Sequence, residues 1–457
     1  MILTLDLGTT ATKAALWTET GMVAIGRGRL TTEHPAPAWA EQDATSWWPS
    51  VLTAVGALGS LADVAAVVFT GARQTFVAVT AAGEPVGPAM LWSDRRVGSS
   101  SVLAKLLWLE ANAPDRLAAS RWLLSPRDLL AWRMGGELHT DVTLASASGL
   151  YGVDAAVLAE AATFAPRLPV PVPSATAVGT VRAEVAGQLG LPAGIPIVIG
   201  AGDRQCEVLG TGASREVPMV SWGTTANVSV PVDAWLDPTP PGLRQRRGAL
   251  GGWVLEGGLS AAGSWLEWIS GITGASVAEL TSEAANAPPG ARGIIALPWL
   301  GGARAPWWRD DVGAAFLGLG PGHGRADLAR AALEGVALDV SRCLEAAGGA
   351  ERLVLAGGGA GSALWADMLG GMTRLPVVRR RSSEAASVGA ALVAAAALPS
   401  VGGFDVDVVN PVFEESAPIP ALIEAYAALR EAGDAAARAV LGDGRAVLGD
   451  GRALGDG

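Results

Sequence analysis

Leu5-Asp6-Leu7-Gly8-Thr9-Thr10-Ala11 near the start of the chain and Val220-Ser221-Trp222-Gly223-Thr224-Thr225-Ala226 near its middle are two copies of one local pattern. Each sets Gly-Thr-Thr-Ala between two β-type runs, residues 2–6 and 14–17 in the first copy and 218–221 and 227–230 in the second. A glycine followed by two threonines at a hairpin turn exposes backbone N–H groups and adds two hydroxyl donors, which suits a phosphate cradle. Four matched residues are weak evidence, and ordinary β-turns give the same pattern. Two matched hairpin turns in the two halves of the chain argue better for a duplicated domain. The copies are not equivalent. Asp6 ends the first strand, whereas Ser221 stands at the matching place in the second. One turn would carry an acid able to hold a divalent cation, and the other only hydrogen-bond donors.

Outward from these turns, strand-like and helix-like stretches alternate. Residues 63–70, 195–200 and 352–356 read as buried strands, and each runs into glycine. Residues 326–347 read as a long helix, with Leu328, Ala332, Val336, Val340 and Leu344 along one side. Residues 385–398 form an Ala-rich helix. The fold class is α/β with buried strands. Gly200-Ala201-Gly202-Asp203 places an acid at the carboxyl edge of a strand, where such sheets bind ligands. There it could accept a proton from an attacking hydroxyl or simply cap a helix. Gly357-Gly358-Gly359-Ala360-Gly361-Ser362 permits close approach of a ring or a phosphate, but it does not match the dinucleotide fingerprint. Walker A, protein-kinase and Gly-x-Ser-x-Gly motifs are not found.

Composition narrows the class further. A chain of 457 residues is long for one domain, and 50% hydrophobic with 17% charged residues is globular. The apolar runs are short for a membrane span, and no secretory signal pattern opens the chain. The 33 basic and 44 acidic residues give a net charge of −11, which disfavours a duplex nucleic-acid partner. Two cysteines build no disulfide framework and suit a reducing cytoplasm. Three scattered histidines argue against structural zinc, so any metal chemistry would run on carboxylates and phosphates, as for Mg²⁺. The prolines of residues 166–173 mark a rigid connection. Residues 237–242 read as a loop running on through Arg244, Arg246 and Arg247. From Arg438, Arg-Ala-Val-Leu-Gly-Asp-Gly occurs twice, then once shortened, and reads as a low-complexity tail without catalytic meaning.

The order of these motifs resembles the FGGY carbohydrate kinases over roughly residues 1–398. Further stretches are similar to that family: Trp39-Ala40-Glu41-Gln42-Asp43 with Trp47-Trp48, and Pro88-Ala89-Met90-Leu91-Trp92-Ser93-Asp94-Arg95. The most specific piece is Ala314-Ala315-Phe316-Leu317-Gly318-Leu319 followed by Asp327-Leu328-Ala329-Arg330-Ala331-Ala332-Leu333-Glu334. The resemblance implies two actin-like ATPase (ribonuclease H-like) domains with a central cleft. It divides the chain into a sugar-binding and catalytic lobe (1–217), a nucleotide-binding lobe (218–437) and the tail (438–457). It implies ATP and Mg²⁺ as cofactors and a small sugar or polyol as the partner, with no nucleic acid or membrane, in the cytoplasm, and it leaves a homodimer open.

By the same resemblance Asp203 is the general base and Asp6 organises the metal. Thr9, Thr10 and Lys13 meet the phosphates from one side and Thr224 from the other. Gly263, Gly358 and Gly359 match adenosine-pocket positions, with Glu267 and Ala363 beside them. The family often has an amide where Ala363 stands. Arg73, Gln74, Asp203 and Arg204 would face the substrate. Xylulokinases usually show Gly-Gln-Met-His where this chain has Gly71-Ala72-Arg73-Gln74, and Arg73 looks like the glycerol-kinase residue. Residues 96–105 are a shorter segment than in typical xylulokinases. The stretch 39–43 and Trp92 resemble the xylulokinase-like branch. Arg204 replaces a common Gln or Asn; it would lower the pKa of Asp203 or bind an acidic substrate such as gluconate. The resemblance points first to a pentulose such as D-xylulose, with glycerol, ribulose or gluconate as alternatives. The rivals from other classes are a catalytically inactive sugar- or ATP-binding regulator and an actin- or Hsp70-like ATPase machine.

Overall fold

A computed structural model describes residues 1–442 of the chain. The first half supplies β1 (Ile2–Leu7), β2 (Ala11–Thr18), β3 (Gly21–Arg29), α1 (Trp47–Gly56), β4 (Ala66–Gly71), α2 (Val102–Asn112), β5 (Ala177–Thr180), β6 (Pro196–Gly202) and α3 (Asp203–Gly210). The second supplies β7 (Met219–Trp222), β8 (Ala226–Val232), β9 (Arg244–Arg247), β10 (Trp253–Gly258), α4 (Gly263–Thr273), α5 (Arg325–Ala346), β11 (Leu353–Ala356), α6 (Ala363–Thr373), β12 (Val377–Arg380), α7 (Ala385–Ala397), β13 (Val412–Ser416) and α8 (Pro420–Leu441). Shorter elements fill the connections.

The two large sheets share one plan. The first runs β3-β2-β1-β4-β6-β5, and the second runs β9-β10-β8-β7-β11-β12-β13. In the first, an antiparallel meander leads to β1, which pairs parallel with β4, and β4 with β6; β5 closes the edge antiparallel. In the second, β10, β8 and β7 form the meander, β7 pairs parallel with β11 and β11 with β12, and β13 closes the edge antiparallel. The duplication suggested by the paired turns is therefore a duplication of whole sheets. The parallel strands read as continuous apolar runs because both faces are covered, and β4 is buried at every residue.

The one strand without a counterpart is β9. The sequence reading ran the loop of 237–242 on through Arg244–Arg247. Instead these residues pair antiparallel with β10 as an edge strand. Three arginines conceal the alternation that marks a strand, yet charge on an edge suits it by blocking further pairing.

Helix α7 crosses back from the second half to cover the first sheet. Its alanines and Val393 pack with Ile2, Val68, Val198 and Ala201, and Val388 packs with Trp17. Ser387 Oγ lies 2.6 Å from Thr4 Oγ1 and accepts from Trp17 Nε1 at 2.8 Å. Here α3 and α7 touch backbone to backbone. A Cβ at Gly210 would lie 1.9 Å from Ala385 O, and one at Gly389 1.8 Å from Cys206 O. The small residues that give α7 its composition are what allow this contact.

Helix α8 corrects the reading of the tail. Arg438–Leu441 are its last turn, and Val440 and Leu441 pack against Leu297, Trp299 and Ala303. The remainder of the repeat, 443–457, lies outside the described residues. Among the described residues, no single helix is long and apolar enough to cross a membrane.

Candidate active site

The β1–β2 and β7–β8 turns line one cleft of about 1520 Å³. Asp6, Thr9 and Lys13 come from the first hairpin, Ser221, Gly223 and Thr224 from the second, and Arg73, Gln74, Asp203 and Arg204 also reach it. Parallel strands end at this edge, so the cleft lies where such sheets bind ligands.

The first turn is held by side chains. Gln42 Nε2 donates to Thr9 O at 2.6 Å, and Trp92 Nε1 donates to Thr9 Oγ1 at 2.9 Å. Trp47 Nε1 in turn donates to Gln42 Oε1 at 2.9 Å. Behind them Arg96 Nη2 bridges Glu41 Oε1 at 2.6 Å and Asp94 Oδ2 at 2.7 Å, with its guanidinium 3.7 Å from the centre of the Trp39 ring. The Trp39–Asp43 and Trp92 stretches, read from the sequence as a family marker, thus brace the β1–β2 turn. Thr10 is exposed and is not among the residues lining the cleft. Lys13 Nζ is paired with Glu384 Oε2 at 2.6 Å, at the start of α7.

The second turn is held by backbone. Gly263 N donates to Gly223 O at 3.0 Å, and Ala262 N and Ser264 N both donate to Thr224 O. A Cβ on Gly263 would lie 2.7 Å from Gly223 O, so glycine is needed where α4 meets the turn. A Cβ on Gly359 would lie 2.6 Å from the Trp222 ring, whereas Gly358 faces open space and lines the cleft. Gly263 and Gly359 therefore gather around the second turn. Glu267, one turn along α4, and Ala363, at the start of α6, are exposed and outside the cleft lining.

Asp203 opens α3 with its side chain 44% exposed. Its Oδ1 accepts the backbone N–H of Arg204 at 2.7 Å and lies 3.8 Å from Arg73 Nε. The cation expected beside it is thus Arg73. The Arg204 guanidinium turns away to Glu207 Oε2 at 2.8 Å. Arg73 also forks onto Glu256 of β10, at 2.7 and 3.1 Å, and Gln205 Nε2 donates to Glu256 Oε1 at 3.0 Å. Burial would raise Glu256, but Arg73, by charge and hydrogen bond, together with Arg246 and Arg204 holds this carboxyl below its ordinary range.

Asp6 behaves oppositely. Burial, then the negative charges of Asp203, Glu384 and Glu207, push it up to about 7 against the pull of Lys13. A carboxylate so reluctant to ionise is a fitting ligand for a divalent cation, whose charge relieves that cost. No group of three His, Cys, Asp or Glu residues among the described residues is arranged to hold a metal alone.

Sequence reading missed three residues here. Glu207 follows Asp203 by four residues on one helix, a spacing that could have shown both on the cleft face. Glu256 carries no local motif and arrives only through the β9–β10 pairing. Lys105 is fully buried, donating to Gln74 O at 3.0 Å and Leu91 O at 2.5 Å. It supports Gln74, whose φ of 60° is unusual for a side-chain-bearing residue. Burial pushes Lys105 down to about 7.

Comparison with known proteins agrees with this geometry. A model of the FGGY family of carbohydrate kinases, N-terminal domain, matches residues 1–101 and 97–210, and the C-terminal domain model matches 219–398. Xylulose kinase of Escherichia coli K12 is 30% identical over 409 residues, covering 81% of this chain and 84% of that protein. Glycerol kinase of Geobacter sp. M21 is 31% identical over 447 residues, covering 86% and 89%. The crystal structure of xylulose kinase from Rhodospirillum rubrum superposes with a TM-score of 0.84 at 26% identity, covering 96% of this chain and 98% of that one.

Proposed function

This chain belongs to the FGGY family of carbohydrate kinases, and from that premise we propose a role for each residue of its cleft. It has the two-domain actin-like ATPase fold of that family and is an ATP-dependent phosphotransferase that acts on an alcohol group of a sugar. The lobes are assigned as 1–217 and, because α8 runs to Leu441, 218–441 rather than 218–437, with α7 joining them.

Asp203 is the general base. The acceptor hydroxyl gives its proton to this carboxylate while its oxygen forms a bond to the γ-phosphorus, and the bond to the ADP oxygen breaks on the opposite side. The Thr9 and Thr224 hydroxyls hold the phosphates from the two sides, while the Gly8 and Gly223 N–H groups close their own turns onto Ala11 O and Thr225 O. Lys13 is a phosphate contact once released from Glu384, and Thr10 a more distant one. Gly263, Gly358 and Gly359 form the floor for adenosine, with Glu267 and Ala363 at its margin. Mg²⁺, held by Asp6 and the phosphates, supplies charge neutralisation when bound. Arg73 and Gln74 donate hydrogen bonds to acceptor hydroxyls.

The observation that carries this reading is that both Gly-Thr-Thr turns and Asp203 line a single cleft. D-Xylulose is the first acceptor we assign, because relatives named xylulose kinase recur among those similar to the chain; glycerol, ribulose and gluconate complete the set. The two cysteines are free and buried, which suits the reducing cytoplasm we assign to the enzyme, with a small-molecule acceptor rather than nucleic acid or a membrane as its partner. Coupled-enzyme ADP release with and without each acceptor tests the function. A sugar-dependent signal is expected, and a sugar-independent signal or none would favour an ATPase machine or an inactive regulator.

A further inference from the structure

Beyond Arg73 and Gln74 the cleft opens into a second space of about 1540 Å³. Arg95, Arg244, Arg246 and Arg304 line it, facing the acids Glu256 and Asp310. Glu256 is already engaged by Arg73 and Gln205. Asp310 is exposed. In a chain of net charge −11, this wall carries a local excess of positive charge.

The four arginines are not alike. Arg244 stacks on the Trp308 ring at 4.2 Å, and Arg246 Nη1 donates to Gln245 O at 3.2 Å. Arg95 and Arg304 reach the space from opposite halves of the chain, and each is half-buried. Among the described residues neither guanidinium makes a hydrogen bond or an ion pair, although Asp310 acts on both at longer range. Burial pushes Arg304 down to about 10, and Arg95 and Arg244 beside it add to the fall. Arg95 is lowered by burial and by Arg244. Guanidiniums are rarely held together half-buried without an anion to satisfy them, and their planar forks match carboxylate and phosphate oxygens.

We propose that Arg95 and Arg304 form an anion subsite for a carboxylate or phosphate group at the end of the acceptor sugar remote from the hydroxyl that is phosphorylated. The subsite rests on the sugar-kinase reading above. It lies on the Arg73 and Gln74 side of the cleft. Arg95 and Arg304 also line the catalytic cleft with Thr9, Thr224 and Gly358, but the space they share with Arg244, Arg246 and Trp308 extends away from those three residues. The sequence placed an anion-binding cation at Arg204, but Arg204 is paired with Glu207. The subsite revises the first-assigned acceptor from D-xylulose to an anionic sugar, because a neutral pentulose would occupy the Asp203 end alone and leave the two arginines to water. An acceptor with an anionic end would bridge both halves, since Arg95 and Arg304 come from different sheets' connections.

The test compares kcat/KM for D-xylulose, an aldonate of the same length and a pentose terminal phosphate, in the parent protein and in Arg95→Gln and Arg304→Gln. At least one anionic acceptor should be preferred to D-xylulose, and which one identifies carboxylate or phosphate as the ligand. Each substitution should reduce the ratio of anionic to neutral kcat/KM by about 10–100-fold, chiefly through KM, as expected for loss of a charge-assisted hydrogen bond. Preference for D-xylulose in the parent, or an anionic preference that survives in the double variant, overturns the subsite and leaves the kinase reading intact. If no acceptor turns over, the kinase reading fails separately. Calorimetric titration of the same three acceptors into Asp203→Asn then decides the subsite: anion binding lost with Arg304→Gln supports it, and no anion binding overturns it. Thermal melts of each variant control for folding.

Discussion

In the first sheet the β1–β2 hairpin turns at Gly8 beside Asp6, and in the second the matching β7–β8 hairpin turns at Gly223 beside Ser221. The same asymmetry appears at the far strands. β6 leads through Gly202 to Asp203, which stays partly open to the cleft. β12 leads towards Glu384 and α7, and Glu384 is consumed by Lys13 and Arg27 at 2.6 Å each. Duplication thus produced two similar sheets and one chemically competent edge. The first edge keeps its acids available, and side chains brace its turn. The second pairs or lacks its acids and is fixed by backbone contacts, as suits a platform for the nucleotide.

The sharpest way to break this contrast is Asp203→Asn. It keeps the shape and removes the proton acceptor, so kcat should fall ~10²–10⁴-fold while nucleotide binding survives. Near-normal single-turnover rates would remove Asp203 from the role of base.

Asp6 offers a test by pH. Its folded-state value is raised from 3.8 to about 7, so between these values the folded protein holds a proton the unfolded chain has lost. That contribution is fully present below the lower value and is lost as pH rises through the upper one. It amounts to at most about 4 kcal/mol. The melting temperature of the nucleotide-free protein should therefore drop from pH 5 to pH 8 by this mechanism, and Asp6→Asn should flatten the drop. The expected outcome for Ser221→Ala is an unchanged slope, since that turn carries no acid. Equal slopes in the parent and Asp6→Asn would show that the first turn is not the charged one.

Gly263→Ala probes the backbone-held turn. The new Cβ must displace Gly223 O, at roughly 1–3 kcal/mol for overpacking, and ATP KM should rise with the lower melting temperature. Unaltered melting and KM would mean that α4 does not set the second turn. The smallest effect is expected at the carboxyl terminus. Truncation after Gly442 should leave activity and melting unchanged, whereas truncation after Ala437 also removes Val440 and Leu441 from their contacts with Trp299 and Ala303 and should lower stability measurably. Identical melts for the two truncations would show that this last turn of α8 adds nothing.

Much of the fold was legible in the sequence because its signals are local. β4 and β6 are unbroken apolar runs, α5 repeats its apolar residues at helical spacing, and the Gly-Thr-Thr turns sit between alternating strands. Edge strand β9 was not legible, because Arg244, Arg246 and Arg247 follow no hydrophobic period. The site was legible in its acids and turns, Asp6, Thr9, Asp203 and Thr224. Lys105 was not, since its burial beneath Gln74 depends on the packing of α2. Nor was Glu256, which belongs to the other sheet from Arg73 and Asp203.

The sequence by itself determined the α/β class, the duplicated hairpins and the residue types available for phosphoryl transfer. Those properties follow from the chemistry of short stretches, and short stretches carry their own periodicity and turn residues. Only the tertiary structure decided which charges pair. It gave Arg204 to Glu207, Lys13 to Glu384 and Arg73 to Glu256, and it left Arg95 and Arg304 facing the cleft. Pairing depends on distances between residues far apart in the chain, and a charge a few ångströms nearer or farther changes its interaction severalfold in a partly desolvated cleft.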